Sequence, residues 1–219
     1  MSVHRKNNWI HRAVDLLFPR RCPFCGAVTE GGALLCAACA AKLPFTGEHA
    51  VKEGPYGRCA APLYYEEAVR RAVLDLKFHG RLGVVACCAD LMAQCAAQAY
   101  AGEFDTVSWV PVSDKRRRER GFDQAEELCR ALCRLWDTQP TPTLHKTQDN
   151  RAQSSLTAAE ERRGNVLGVY EALAPNVWGR RILLVDDVMT TGSTLGECAR
   201  VLREAGAAEV LCLTFSRVR

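Results

Sequence analysis

The chain has 219 residues, 48% of them hydrophobic and 25% charged, with a formal charge of +4 at neutral pH. That length suits one compact domain with at most a small appendage, and the balance excludes a disordered or collagen-like chain. No apolar run is long enough to span a bilayer, and the mild basicity permits a polyanionic partner without requiring one.

His4, Arg5, Lys6, His11, Arg12 and Asp15 interrupt the first twenty residues, so no signal-peptide apolar region is present and a cytoplasmic location is expected. The 12 cysteines are then read as reduced thiols rather than disulfides. "WIHRAVDLLF" spaces Ile10, Val14, Leu17 and Phe18 as one face of a short helix. "RRCPFCGAVTEGGALLCAACAAKL" follows, with two C-x-x-C pairs, Cys22 with Cys25 and Cys36 with Cys39, separated by a Gly-rich turn. Four thiolates so paired can surround one tetrahedral Zn²⁺, filling every position and contributing folding energy rather than chemistry. Cys87, Cys88, Cys95, Cys129, Cys133, Cys198 and Cys212 lie among Ala, Leu and Val as small hydrophobes, and Cys59 has no assigned role.

Residues 46–62 are rich in Gly and Pro and read as a linker. "YYEEAVRRAVLDLKFHGR" puts Val69, Val73 and Leu76 on one helical stripe, and an Ala-rich helix follows it. Thr106 to Ser113 reads as a strand stopping at Pro111. A basic run, Lys115, Arg116, Arg117, Arg118 and Arg120, leads into a long helix that carries Phe122, Ala125, Leu128, Cys129, Leu132 and Trp136 on one face. Thr157 and Glu160 match a capping box, and "VLGVYEAL" is a short strand candidate. "RRILLVDD" reads as a buried strand, "STLGECARVLREAG" as a helix closed by Gly206, and "AEVLCLTF" as a last strand. Strands alternating with helices predict an α/β fold with a mostly parallel sheet flanked by helices.

In such a sheet, ligands gather beyond the carboxyl ends of the strands, where Asp186 and Asp187 stand. Thr190, Thr191, Gly192, Ser193 and Thr194 then turn into a helix N-terminus, where free N–H groups favour a phosphate and Gly192 lets the backbone come close. Carboxylates repel that phosphate but can accept from a vicinal diol or help hold hydrated Mg²⁺, so a ribose 5-phosphate matches both ends. A Walker A loop is excluded because no lysine follows Gly192, and a dinucleotide fingerprint because its spaced glycines are missing. The plain alternative is a strand–turn–helix with two solvated acids.

"LLVDDVMTTGSTL" resembles the 5-phosphoribosyl-1-pyrophosphate (PRPP) motif of type I phosphoribosyltransferases. "LKFHGR", "PVSDKRRRERGFDQAEEL", the set Gln153, Leu156, Glu161, Arg162 and Asn165, and the amino-terminal cysteine pairs together resemble the ComF family of competence-associated proteins over nearly the whole chain. The resemblance implies a zinc-ribbon-like module with its helix in residues 1–45 and a phosphoribosyltransferase-like domain in 63–219, linked to DNA uptake in natural transformation. It implies that Asp186 and Asp187 face the ribose hydroxyls, that the Thr190–Thr194 loop holds the 5-phosphate, and that Mg²⁺ accompanies PRPP. It further implies that the loop after the second strand holds pyrophosphate, making Val112, Ser113, Lys115 and Arg116 candidates. Asp123 departs from the Asn of relatives and weakens anion binding there, and Cys59 alone remains of a second cysteine group, so one metal is expected. Single-stranded DNA is the other polyanion that Lys77, Arg81, Arg117, Arg118 and Arg120 could neutralise, as in a non-enzymatic adaptor with PRPP as regulatory ligand and uptake proteins as partners. Ser2 stands where a glutamine-dependent amidophosphoribosyltransferase needs Cys, which disfavours that activity. The phosphoribosyl acceptor is not legible, and none of the scattered histidines is named catalytic.

Overall fold

The computed structural model of the chain describes residues 21–29, 33–79, 82–148 and 168–219. The expected helix at Ile10–Phe18, Arg81, the Thr157–Glu160 capping box and the set from Gln153 to Asn165 lie outside the described residues. The strands are β1 (Val51–Gly54), β2 (Gly57–Ala60), β3 (Leu63–Tyr64), β4 (Thr106–Trp109), β5 (Leu144–Lys146), β6 (Tyr170–Ala172), β7 (Arg181–Met189) and β8 (Glu209–Arg217). The helices are α1 (Ala37–Ala40), α2 (Glu67–His79), α3 (Leu82–Ala99), α4 (Asp114–Arg120), α5 (Gln124–Leu135) and α6 (Ser193–Glu204).

The main sheet has the order β1-β2-β8-β7-β4, with β3 beside the far end of β8. All its pairings are parallel except that of β1 with β2. A parallel sheet is buried on both faces, which is why β7 and β8 are nearly continuous apolar runs. Leu183 and Val185 of β7 join Leu211, Leu213 and Phe215 of β8 in one core, covered by Val69 and Leu76 of α2, Met92 of α3 and Leu128 of α5. Ile182, Leu184, Val210 and Cys212 point the other way, onto Leu195, Cys198 and Leu202 of α6 and Tyr170 of the antiparallel β5–β6 pair. The period of two along each strand thus sorts side chains into the two cores.

Local signals bound the two helices that frame the cleft, the Gly206 ending as expected and the Asp123 cap as a finding of the structure. Asp123 caps α5 by accepting from the N–H groups of Ala125 and Glu126 at 3.0 and 3.2 Å. Gly206, at φ 92°, closes α6: its N–H reaches the Arg203 carbonyl at 3.0 Å and the Ala207 N–H reaches that of Leu202 at 3.0 Å, a Schellman ending. The scattered cysteines are core residues, and burial pushes the Cys87 thiol up to about 12 and that of Cys95 to about 11, which keeps both protonated.

The expected linker is corrected. Residues within 46–62 form the β1–β2 hairpin, which adds the outer strands to the main sheet. Its Gly54-Pro55-Tyr56-Gly57 turn supplies the composition that reads as a linker, and Gly57 needs its left-handed φ of 87°. Thr46 ties the entry by donating its hydroxyl to the Ala61 carbonyl at 2.6 Å. The strand expected over Thr106–Ser113 ends at Trp109, with one further bond from the Val110 N–H to the Val185 carbonyl at 2.9 Å before Pro111 breaks the ladder. Among the described residues no helix is long and apolar enough to cross a membrane.

The cysteine module sits against the first core, to which it contributes Cys22, Phe24 and Leu43. Its first turn is held by the Gly26 N–H on the Cys22 carbonyl at 2.9 Å and the Cys22 N–H on that of Ala27 at 2.8 Å. In the second turn the Cys39 N–H donates to Cys36 Sγ at 3.4 Å, capping α1.

Candidate functional site

A cleft of about 330 Å³ opens beyond the carboxyl end of β4, where β7 continues past its neighbour. Asp186 and Asp187 line it together with the Val110–Val112 segment, Thr190 and Thr194 of the hydroxyl loop, and Arg116, Arg120 and Gln124. Lys77 enters from α2, and Lys146 and Tyr170 from the antiparallel β5–β6 pair. Sequence reasoning missed Lys146, Tyr170 and Tyr65 as lining residues, since the β5–β6 pair and the end of β3 reach the cleft only through tertiary packing.

The acid pair has a fixed geometry. The Asp187 N–H donates to Asp186 Oδ1 at 2.8 Å, and Lys77 Nζ lies 2.8 Å from Asp187 Oδ2. Asp186 keeps some exposure at the cleft floor but is enclosed by protein on its other sides; burial, then the neighbouring Asp187, pushes its carboxyl up to about 8. Burial pulls the Lys77 ammonium down, yet Asp187 and then Asp186 outweigh it, so Lys77 titrates above its ordinary value. Burial also raises the Tyr170 phenol, which stays a donor.

The hydroxyl loop begins α6. Thr191 and Ser193 share a hydrogen bond of 2.9 Å between their hydroxyls, and the Ser193 N–H reaches Thr191 Oγ1 at 3.4 Å. Gly192 is buried at φ 76°, and a Cβ there would overlap the Tyr56 ring. Glycine is therefore required by the protein's own packing as well as by its backbone conformation. Gly192→Ala is expected to cost about 1–3 kcal/mol of stability in urea unfolding; an unchanged midpoint would mean that Tyr56 swings away freely.

The basic run is not a loop but the short helix α4, capped by Ser113, whose hydroxyl accepts from the Arg116 N–H at 3.3 Å, and ended by Gly121 at φ 79°. The helix divides the run. Arg116 and Arg120 turn to the cleft, with Arg120 donating to Gln124 Oε1 at 3.1 Å. Lys115 points outward, 4.0 Å from Glu119, and Arg117 pairs with the buried Glu126 at 3.0 Å. Arg118 is exposed. Asp123 spends both carboxylate oxygens on backbone donors: Oδ2 accepts from Val112 N–H at 2.9 Å and Oδ1 from the first turn of α5. It shapes the Val112 wall rather than pointing a free carboxylate at an anion.

In the amino-terminal module, the sulfurs of Cys22, Cys25, Cys36 and Cys39 lie within 4.8 Å of one another, with Cys25 and Cys36 at 3.6 Å. Zinc–sulfur bonds of about 2.3 Å in a tetrahedron place sulfurs about 3.8 Å apart, so the donor set fits a structural zinc.

The parallel α/β sheet with its carboxyl-end cleft and the four-cysteine module together define a phosphoribosyltransferase-like protein with a zinc ribbon. Residues 118–219 match the Phosphoribosyl transferase domain family and residues 13–72 the Double zinc ribbon domain family. Over 206 residues, 89% of this chain and 84% of the relative, the sequence is 31% identical to the DNA utilization protein YhgH of Salmonella typhimurium. Competence protein F of Haemophilus influenzae is 26% identical over 80% of this chain and 81% of its own. Among solved structures, the glutamine PRPP amidotransferase of B. subtilis is similar at 21% identity with a TM-score of 0.45, over 65% of this chain and 30% of that one. The chain belongs to the ComF family. Although the matched ribbon is a double one, the described residues hold one four-cysteine cluster, and Cys59 is buried in β2 with its sulfur 3.9 Å from the Thr214 hydroxyl.

Proposed function

We propose that the cleft binds PRPP, and that the protein serves the use of DNA taken up by the cell. The observation that carries the first part is the pairing, in one cleft, of the Asp186–Asp187 floor and hydroxyl loop with a cationic wall of Arg116, Arg120 and Lys146. In this reading the acids accept from the ribose diol, and Thr190, Thr191, Gly192, Ser193 and Thr194 hold the 5-phosphate at the α6 N-terminus. Pyrophosphate lies along Val112 and Ser113 against Arg116 and Arg120, whose guanidinium forks suit phosphate oxygens. Lys115, facing Glu119, has no part in that wall. The names of relatives, DNA utilization protein and Competence protein F, support the second part.

Transfer, where an acceptor is supplied, forms a bond from the acceptor's lone pair to the anomeric carbon. The bond to pyrophosphate breaks, pyrophosphate leaves with its electron pair, and the acceptor gives up a proton. The cleft contributes positioning and charge stabilisation, with Arg116 and Arg120 set to meet the negative leaving group. Mg²⁺ does not fit at the acids, because the Lys77 ammonium already stands 2.8 Å from Asp187; no step is assigned to it.

A single-stranded DNA surface on α4 is the weaker reading, since Arg117 is paired with Glu126, Lys115 faces Glu119, and Arg120 and Lys77 belong to the cleft. Titrating PRPP by calorimetry while monitoring pyrophosphate across a panel of bases and amines tests the proposal. Saturable binding is expected; no heat and no displacement at millimolar ligand would remove it. Pyrophosphate release marks a transferase, and binding without release marks an adaptor.

A further inference from the structure

Lys77 stands near the end of α2, directly after Leu76, which is buried in the core at 1% exposure. The core contact anchors the backbone, and the lysine stem then runs to the sheet's carboxyl edge. There the ammonium meets Asp187 Oδ2 at 2.8 Å, with the two side chains only 28% and 12% exposed. Asp186 Oδ1 is engaged by the Asp187 backbone N–H. A magnesium ion at this pair needs oxygen ligands at about 2.0–2.1 Å in near-octahedral array, and the lysine occupies the approach to one of them. Adding a divalent ion beside the ammonium would also set like charges against each other in a poorly hydrated place.

We propose that the Lys77 ammonium takes the place of a divalent cation at the acid pair, so that the cis-diol of a sugar phosphate is held there without metal. This deepens the proposed function and rests on the cleft being a sugar-phosphate site. The chemistry is complementary. A hydroxyl is both donor and acceptor, the carboxylates accept, and an ammonium has three protons to give, one of which Asp187 uses. Each hydroxyl of a vicinal diol can donate to a carboxylate while accepting from Lys77, leaving neither function unpaired. A sugar lacking one of the two hydroxyls would strand a partner at a pair that is itself largely buried. Lys77 is thus a positioning and specificity-determining residue for the ribose, a different role from the DNA contact that its charge alone suggests.

The test is ribose 5-phosphate and PRPP binding by calorimetry, in excess Mg²⁺ and in buffer freed of divalent cations by resin, a soluble chelator being avoided because it would take the zinc. For the wild type, ribose 5-phosphate affinity is expected to agree within about twofold between the two buffers, and 2-deoxyribose 5-phosphate to bind about tenfold more weakly. Lys77→Met is expected to lose at least about tenfold in metal-free buffer and to regain affinity with Mg²⁺, while Lys77→Arg, which keeps the charge and the fold, stays near wild type without metal. A wild-type protein that binds ribose 5-phosphate only with Mg²⁺ would overturn the proposal, as would Lys77→Met binding unchanged without metal. Absence of binding by either ligand in either buffer would instead overturn the sugar-phosphate reading, and this proposal with it.

Discussion

Cys22→Ser and Cys39→Ser are each expected to lower the zinc content from one ion per chain to near zero and to open the amino-terminal module to proteolysis. The module has little else to hold it. Helix α1 spans four residues and buries none of them, far too short to persist on its own. Among the described residues its local ties are short-range turn bonds, such as the two at Cys22, the Leu43 N–H on the Cys39 carbonyl and the Cys39 N–H on Cys36 Sγ. Four sulfurs converge within 4.8 Å of one another, an arrangement a metal ion organises and bare thiols do not. Structural zinc in small modules is worth about 10–16 kcal/mol at neutral pH, more than these contacts can replace. Since Cys22, Phe24 and Leu43 also complete the core over α2 and α3, the loss is expected to reach the main domain as a lowered melting temperature. Elemental analysis with limited proteolysis checks this. Metal-free protein that melts like the wild type, or a serine variant that keeps a full ion, would refute the metal's structural role.

What could be read from residues alone follows a physical line between local and tertiary signals. β7 and β8 are legible because burial on both faces forces a run of apolar residues, and α6 because its apolar spacing and Gly206 are local. The acid pair is legible as well, since strand direction alone places Asp186 and Asp187 at the ligand edge of the sheet. The β1–β2 hairpin is not, because its Gly54-Pro55 turn and exposed β1 carry the composition of a linker, and only pairing with β8 reveals strands. The α4 helix was legible in principle: Ser113 at its start and Gly121 at its end are capping residues, outweighed by a run of charge that reads as solvated loop. Tyr170 lies on the strand expected in "VLGVYEAL", but neither it nor Lys146, on a three-residue strand, had a signal that places it at the cleft, and the cation over the Tyr170 ring at 5.1 Å is a tertiary product. The Lys77–Asp187 pair likewise joins a helix to a strand far along the chain, and no spacing rule connects them.

Exchanging both Asp186 and Asp187 for Asn is expected to weaken PRPP binding near neutral pH by about ten- to a hundredfold, taking the charge-assisted hydrogen bonding of the Lys77-paired acid to the diol at about 1.5–3 kcal/mol in all. The single changes separate the two acids, because their effects on the unliganded protein have opposite signs. Burial holds the Asp186 carboxyl up at about 8 in the folded chain, against about 4 in the unfolded one. Between those values the folded state binds the extra proton, so this group's contribution is complete below about pH 4 and is lost as pH rises toward 8. Asp186→Asn removes that loss and is expected to raise the melting temperature at pH 8 by more than at pH 5. Asp187→Asn leaves the half-buried Lys77 without its 2.8 Å partner and is expected to lower the melting temperature at both pH values. Thermal melts of the two single variants beside calorimetry with PRPP make the check. Were Asp186→Asn to destabilise the protein equally at both pH values, the carboxyl would be serving the fold; were the double variant to bind PRPP like the wild type, the ribose would not rest on these acids. Under the proposed function an unliganded penalty at Asp186 is the expected cost of a site shaped for a diol, since an acid whose burial the fold offsets only in part, through the Asp187 N–H, is retained where a ligand completes its bonding.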